Sequence, residues 1–146
     1  MKNLVLLGTA RGESHTLRAI RELCPFKEYE IIDLRNYNLK YYSYDHSTNL
    51  DEFLAIAENM TTADNIVFAT PVYWYSMSGV LKVFFDRLTE LLTSHKSIGK
   101  ALKGKKTFLI STGSDPELPP GFEVPFRLTS KYFEMNYERA FYLPAR

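Results

Sequence analysis

Three hydroxyl side chains and one arginine follow a short apolar run near the start of the chain. The stretch "LVLLGTARGESHT" covers residues 4 to 16, and its polar part begins after Gly8. Hydroxyl groups, a planar guanidinium and the free amides at the start of a helix all donate hydrogen bonds to phosphate oxygens. We therefore predict a phosphate site whose donors are Thr9, Arg11, Ser14, His15 and Thr16.

A simpler interpretation of the same stretch is a capped turn with solvated polar residues, for which Ser14 alone would suffice. The stretch matches neither of two well-known nucleotide motifs, because no Gly-Lys-Ser/Thr follows and G-x-G-x-x-G is missing. A simple turn needs no cluster of hydroxyls, so we favour the phosphate site.

A second candidate site is the aromatic run in "TPVYWYSMSGVLKVFFDR", residues 70 to 87. Tyr73, Trp74 and Tyr75 follow each other directly after a proline. Such a loop offers flat apolar faces together with backbone amides, which suits a planar heteroaromatic ring. The alternative is that these aromatic side chains simply cover the core.

Both candidate sites lie at the ends of predicted strands. Apolar runs and helical spacing alternate along the chain, which predicts five strands separated by helices. The predicted strands are 3 to 8, 28 to 34, 65 to 70, 105 to 112 and 138 to 143, and the predicted helices are 14 to 24, 50 to 60, 79 to 93 and a segment between 120 and 135.

Alternating strands and helices predict an α/β fold with a parallel sheet in a single domain, residues 1 to 146. The first, third and fourth strands are apolar throughout, which places them centrally and favours the strand order 2-1-3-4-5. Ligands bind such sheets outside the carboxyl ends of the strands. We therefore expect the functional residues after Leu7, Thr70 and Thr112.

Composition excludes several classes of partner. The 18 basic and 17 acidic side chains nearly balance, giving a formal charge of +1 and no electrostatic footprint for nucleic acid or an anionic membrane. The one cysteine, Cys24, leaves no disulfide within the chain. We find no signal peptide, no membrane span and no metal-ligand spacing, and we expect a cytoplasmic protein.

The motifs "GTARGESHT", "TPVYWYSMSGVLKVFFDRL" and "FLISTGS" together resemble the flavodoxin-like NAD(P)H-dependent FMN reductase and quinone reductase family. "DLRNYNLKYYSYD", residues 33 to 45, also looks like the segment after the second strand in that family. The resemblance implies a flavodoxin-like three-layer sandwich. It also implies an enzyme in which bound FMN takes a hydride from NADPH or NADH and passes electrons to a quinone, nitro compound, flavin or similar acceptor.

By position, the resemblance implies that Thr9, Arg11, Ser14, His15 and Thr16 hold the FMN phosphate. The isoalloxazine ring would be lined by Pro71, Val72, Tyr73 and Trp74, and bordered on its other side by Ser111, Thr112 and Gly113. No side-chain general acid or base is implied. The family also implies a homodimer, and the apolar stripe of the helix from residue 79, widened by Val80 and Val83, is wide enough to contact a second subunit.

Two features depart from the family. The segment "GSDPELPPG" after the fourth strand is rich in proline, and the final helix of a flavodoxin-like fold is expected to be missing after residue 143. Two other functions on the same fold therefore stay open. One is a flavodoxin-type electron carrier, which the near-neutral charge and Arg11 disfavour; the other is a family member that no longer binds flavin.

Overall fold

Five parallel strands form one sheet with helices on both faces. The computed structural model describes residues 1–12, 14–45 and 51–145. The strand order is β2-β1-β3-β4-β5 with every neighbouring pair parallel, which confirms the predicted flavodoxin-like order. The strands are β1 (Asn3–Leu7), β2 (Glu30–Asp33), β3 (Asn65–Pro71), β4 (Lys106–Gly113) and β5 (Asn136–Pro144), and the α-helices are α1 (His15–Leu23), α2 (Phe53–Thr62), α3 (Gly79–Arg87), α4 (Lys96–Lys100) and α5 (Val124–Tyr132).

The central strands are buried on both faces, as their continuous apolar sequences require. All seven residues of β3 are buried. One face of the sheet packs against α1 through a cluster that includes Val5, Val67 and Ile110. The other face packs against α2, α3 and α5. The two edge strands, β2 and β5, contain exposed residues, in agreement with their mixed polarity.

The ends of the predicted helices agree with local capping chemistry. The Ser14 side chain caps α1 by accepting a hydrogen bond of 3.1 Å from the Leu17 amide. The predicted helix from residue 50 begins at Phe53 in the structure, and Leu50 itself lies outside the described residues. Among the helices of the described segments, none is long and apolar enough to cross a bilayer.

The single helix predicted over residues 79 to 93 is wrong in extent. The α-helix ends at Arg87, and Leu88–Leu91 tighten into a 3-10 turn. A separate short helix, α4, follows and was not predicted. Its Gly99 packs directly on the 3-10 turn, since a Cβ atom there would collide with the Leu91 carbonyl oxygen. The apolar spacing continues past Arg87, so periodicity alone does not show the break.

The break coincides with a buried ion-pair network around Arg87, whose side chain is 1% exposed. Its guanidinium pairs with the carboxylates of Asp51 and Glu90 and donates a bond of 3.0 Å to the Lys40 carbonyl. Burial alone would raise the pKa of Asp51. Hydrogen bonds from Arg87 and from the amides of Lys40 and Phe53 outweigh it and hold that pKa below its usual value. The network therefore ties the segment after β2 to the start of α2 and the end of α3.

Replacing Arg87 with Met should lower the free energy of unfolding by about 3 to 5 kcal/mol, because two buried carboxylates would lose their counter-ion. Urea denaturation measures the loss. Lys82→Met is the matched control, because Lys82 forms an exposed pair with Asp86 on the same helix and should cost less than about 1 kcal/mol. Equal losses in the two variants would contradict a structural role for the buried network.

Candidate functional site

The candidate site lies at the carboxyl edge of the sheet, where the loops after β1, β3 and β4 meet. Two hydrogen bonds of Ser78 join the loop after β1 to the end of β3. Its hydroxyl donates to the Gly8 carbonyl at 2.7 Å, and its amide donates to the Thr70 hydroxyl at 2.9 Å. Gly8 must be glycine because a Cβ atom would lie 2.7 Å from the Leu81 Cβ. The start of α3 is thus pressed against the loop that follows β1.

The loop after β1 places the predicted phosphate ligands around the start of α1. Thr9 and Thr16 are buried, Ser14 is partly buried, and Arg11 and His15 are exposed. The first backbone bond of α1 runs from the Arg18 amide to the Ser14 carbonyl. The amides of His15 and Thr16 precede it and point out of the helix end, where the helix dipole favours an anion, while the Leu17 amide is capped by Ser14.

Thr16 carries the most informative atom of this loop. Its residue is 1% exposed, and its hydroxyl has no hydrogen-bond partner within the described residues. Thr112, 2% exposed at the carboxyl end of β4, has an unpartnered hydroxyl as well. Side chains alternate along a strand, so Thr112 lies on the same face as Ile110, the face that α1 covers. Buried hydroxyls without partners are rare in proteins, so both atoms are available to bind a ligand or a water molecule.

Arg35 belongs beside this loop, although sequence reasoning did not find it. Its Nη2 atom lies 3.0 Å from the position that a Cβ atom on Gly12 would take. Arg35 follows β2, and the strand order puts the end of β2 next to the end of β1. It also pairs with Asp33 at 3.4 Å. The predicted strand order already placed β2 beside β1, and this was the feature of the sequence from which a position of Arg35 near the loop could have been predicted.

The loop after β3 displays its aromatic side chains. Residues 73 to 76 form a tight turn, in which the Tyr73 amide donates to the Ser76 carbonyl at 2.9 Å. Trp74 and Tyr75 are 93% and 68% exposed, so neither one covers the core. Both have positive φ angles, 50° and 67°, a conformation that costs about 1 kcal/mol or more for each residue that is not glycine. The two rings are therefore exposed to solvent on a turn whose backbone conformation is unfavourable.

Pro71 and Val72 differ from the aromatic residues of the turn in whether their backbone amides are available to a ligand. Pro71 is buried as the last residue of β3 and has no amide hydrogen. The Val72 amide donates to the Thr112 carbonyl at 2.8 Å. Neither residue therefore offers an amide to a ligand. The amides of Trp74 and Tyr75 at the tip of the turn make no hydrogen bond within the described residues.

The loop after β4 faces this turn across a pocket of about 220 Å³. Val72, Trp74 and Tyr75 line one side, and Gly113, Ser114 and Asp115 line the other. Ser111 lies inside the sheet, where its hydroxyl donates to the Thr70 carbonyl at 2.7 Å. The structure thus places Gly113 at the pocket and Thr112 on the α1 side of the sheet, while the Ser111 hydroxyl is engaged elsewhere.

A larger groove, of about 780 Å³, runs between α3 and the segment after β2. Val80 and Val83 line it from α3, and Tyr37 and Tyr41 line it from the other side. The two valines that widen the apolar stripe of the sequence therefore face this groove.

Solved structures share this fold at low sequence identity. The Trp repressor binding protein of Bacillus subtilis superimposes with a TM-score of 0.77 at 23% identity, covering 99% of this chain and 85% of that one. General stress protein 14 of Treponema denticola, solved in complex with FMN, gives a TM-score of 0.66 at 24% identity over 99% and 87% of the two chains.

Curated relatives match over part of their length. A putative NAD(P)H-dependent FMN-containing oxidoreductase of Bacillus subtilis is 33% identical over 67 residues, which are 44% of this chain and 37% of that protein. An FMN-dependent NADPH-azoreductase of Staphylococcus aureus is 33% identical over 109 residues, 68% and 58% of the two chains. The chain spans less than two thirds of the length of these relatives.

A model of the NADPH-dependent FMN reductase family matches residues 1–118. That match contains the loop after β1, the aromatic turn and the end of β4. Residues 1–118 also include β1 to β4, whose parallel order brings these three segments to one edge of the sheet. On this match, which covers most of its length, the chain belongs to the NADPH-dependent FMN reductase family.

Proposed function

We propose that this protein is an FMN-dependent NAD(P)H oxidoreductase that reduces a small-molecule acceptor, with residues 1–146 forming one FMN-binding domain. Family membership supports the cofactor and the class of reaction. The single observation that carries the proposal is a pair of buried hydroxyls, those of Thr16 and Thr112 on the α1 side of the sheet, that find no hydrogen-bond partner in the part of the chain that the structure describes.

The loop after β1 fits the phosphate of FMN. Thr16 has a free hydroxyl to donate, and the outward amides at the start of α1 add backbone donors. Arg11 and Arg35 can bring two positive charges to a phosphate that carries up to two negative charges. Thr9, Ser14 and His15 complete the proposed phosphate ligands. Ser14 uses a lone pair for capping and keeps its hydroxyl hydrogen for a ligand.

The pocket between the loops after β3 and β4 fits the flavin ring. Val72 and Trp74 line one side of this pocket, and Gly113 lines the other. The proposed contacts of Pro71, Tyr73 and Thr112 with the ring rest on the family resemblance alone. The free amides at the tip of the turn, those of Trp74 and Tyr75, are placed to bind polar atoms of the ring edge. Ser111 acts indirectly in this proposal, because its hydroxyl fixes the end of β4 against β3.

FMN, when bound, supplies the group that accepts a hydride from NADPH or NADH and passes the electrons on. The residues of this chain bind and orient the partners, and no side chain is assigned as a general acid or base. The exposed rings of Trp74 and Tyr75 offer stacking surfaces at the mouth of the pocket. Planar aromatic acceptors such as quinones, nitro compounds, flavins or azo dyes fit these surfaces, and one relative is named an azoreductase.

We also propose that the protein forms a homodimer in the cytoplasm. Val124, Leu128 and Tyr132 recur at every fourth position of α5, and all three are exposed. Leu92 lines a groove of about 310 Å³ together with Leu128 and Tyr132. An exposed apolar stripe of this kind is typical of a subunit contact. The cytoplasmic location rests on the single cysteine of the chain.

Purified protein should be yellow and should release FMN when it is denatured. NADPH or NADH added without oxygen should bleach the colour, because the proposed reaction reduces bound FMN. The visible absorption spectrum of the flavin records both results. Colourless protein that takes up no added FMN would contradict the proposal, and flavin that stays oxidised with both nucleotides would favour an electron carrier.

Thr16→Val should weaken FMN binding by about ten-fold, because one hydroxyl donor to the phosphate is lost. The ligand-free protein should be unchanged or more stable by about 1 kcal/mol, because the variant removes a buried hydroxyl without a partner. Thr107→Val is the control, since the Thr107 hydroxyl is paired with the Ser130 hydroxyl at 2.7 Å. That control should lose stability. An FMN affinity untouched by Thr16→Val would remove Thr16 from the site.

Arg11→Ala should weaken FMN binding by about 1 to 3 kcal/mol, as expected for a charge-assisted hydrogen bond to phosphate. Flavin fluorescence titration gives the dissociation constant. Arg18→Ala is the control, because Arg18 pairs with Glu22 on the exposed side of α1 and should leave FMN affinity unchanged. If the two variants bind FMN equally well, Arg11 has no role in the phosphate site.

A further inference from the structure

The end of β5 supports the pocket proposed for the flavin ring. The Tyr142 hydroxyl donates to the Asp115 carbonyl at 2.7 Å, and the Ala145 amide donates to the Gly113 carbonyl at 2.7 Å. Gly113 is the last residue of β4 and Asp115 belongs to the loop that follows, and both line one wall of that pocket. Tyr142 of β5 therefore holds the loop through its side chain, and Ala145, directly after β5, holds the end of β4 through its backbone.

The Tyr142 phenol also fills space at the pocket itself. A Cβ atom on Gly113 would lie 3.0 Å from the Tyr142 Oη and 3.1 Å from the Val72 Cβ. Tyr142, Gly113 and Val72 are thus in close packing, and all three line the pocket of about 220 Å³. The phenol therefore lies at the wall of the pocket and also bonds to the loop that follows Gly113.

The protonation state of Tyr142 suits a hydrogen-bond donor. The pKa of the Tyr142 phenol is raised above its usual value, first by burial and second by the negative charge of the Asp115 carboxylate. The hydroxyl therefore keeps its proton throughout the physiological pH range and continues to donate to the loop.

We propose that Tyr142 is a positioning residue for the flavin ring, holding the Gly113–Asp115 backbone at the distance from Val72 that admits the ring. This inference rests on the proposed function, because it assigns the ring to this pocket. Tyr142 acts through the loop and takes no part in binding the phosphate.

A second tyrosine of β5 provides a matched comparison. The Tyr137 hydroxyl donates to the Glu123 carboxylate, near the start of α5, at 2.6 Å. Tyr137 also has a raised pKa, caused first by burial and then by Glu123. It does not line the pocket. Loss of its hydroxyl removes a similar hydrogen bond from the same strand without touching the loop after β4.

The test compares Tyr142→Phe and Tyr137→Phe with the unaltered protein stripped of flavin. Three quantities are measured: the dissociation constant of FMN, the inhibition constant of inorganic phosphate against FMN, and the visible circular dichroism of bound FMN. Tyr142→Phe should raise the FMN dissociation constant by about three- to ten-fold, as for one neutral hydrogen bond. It should also alter the dichroism of the flavin and leave the phosphate constant unchanged. Tyr137→Phe should change none of the three.

Unchanged FMN affinity and dichroism in Tyr142→Phe would overturn the inference while leaving the proposed function in place. An equal weakening for phosphate and FMN would also overturn it, because it would show a general loss of structure. Unaltered protein that binds no FMN would overturn the proposed function and this inference together.

Discussion

One buried serine holds the candidate site together. Ser78 caps α3 by accepting from the Leu81 amide, donates its hydroxyl to the Gly8 carbonyl, and bonds through its amide to Thr70. These bonds connect the end of β1, the end of β3 and the start of α3 in a region closed to water. The parallel strand order brings the loop after β1 and the turn of residues 73 to 76 to one edge of the sheet, and Ser78 fixes the ends of β1 and β3 against each other there. Every functional assignment made above depends on that adjacency.

Buried polar groups have hydrogen-bond partners in the scaffold, whereas some of those at the candidate site do not. Arg87, 1% exposed, is surrounded by carboxylates and a carbonyl that use its donors. At the carboxyl edge the opposite holds, since the buried hydroxyls of Thr16 and Thr112 have no partner among the described residues and Trp74 adopts a costly positive φ. Unfavourable features of this kind cluster at functional sites in proteins. The scaffold below the site supplies the stability that permits them.

The sequence was sufficient for features that depend on local chemistry. The apolar runs of β1 and β3 indicated central strands, and Ser14 at the start of a helical pattern indicated a cap that the structure confirms. The strand order followed from these runs and from the handedness of crossovers. The same reasoning placed the candidate residues at the carboxyl edge.

Features that depend on distant contacts were missed. The break after Arg87 coincides with pairing to Asp51, 36 residues earlier, and a local pattern carries no record of that pairing. Arg35 lies beside Gly12 only because β2 is the neighbour of β1. Tyr142 reaches Asp115 only because β5 is the neighbour of β4. The internal bond of Ser111 likewise depends on the register between β3 and β4.

The central claim is that the loop after β1 binds the phosphate of FMN. A crystal structure of the protein grown with FMN tests it most directly. The account predicts phosphate oxygens within about 3 Å of the Thr16 hydroxyl and of the first amides of α1. Flavin bound elsewhere, with the Thr16 hydroxyl still facing no ligand atom, would contradict the account.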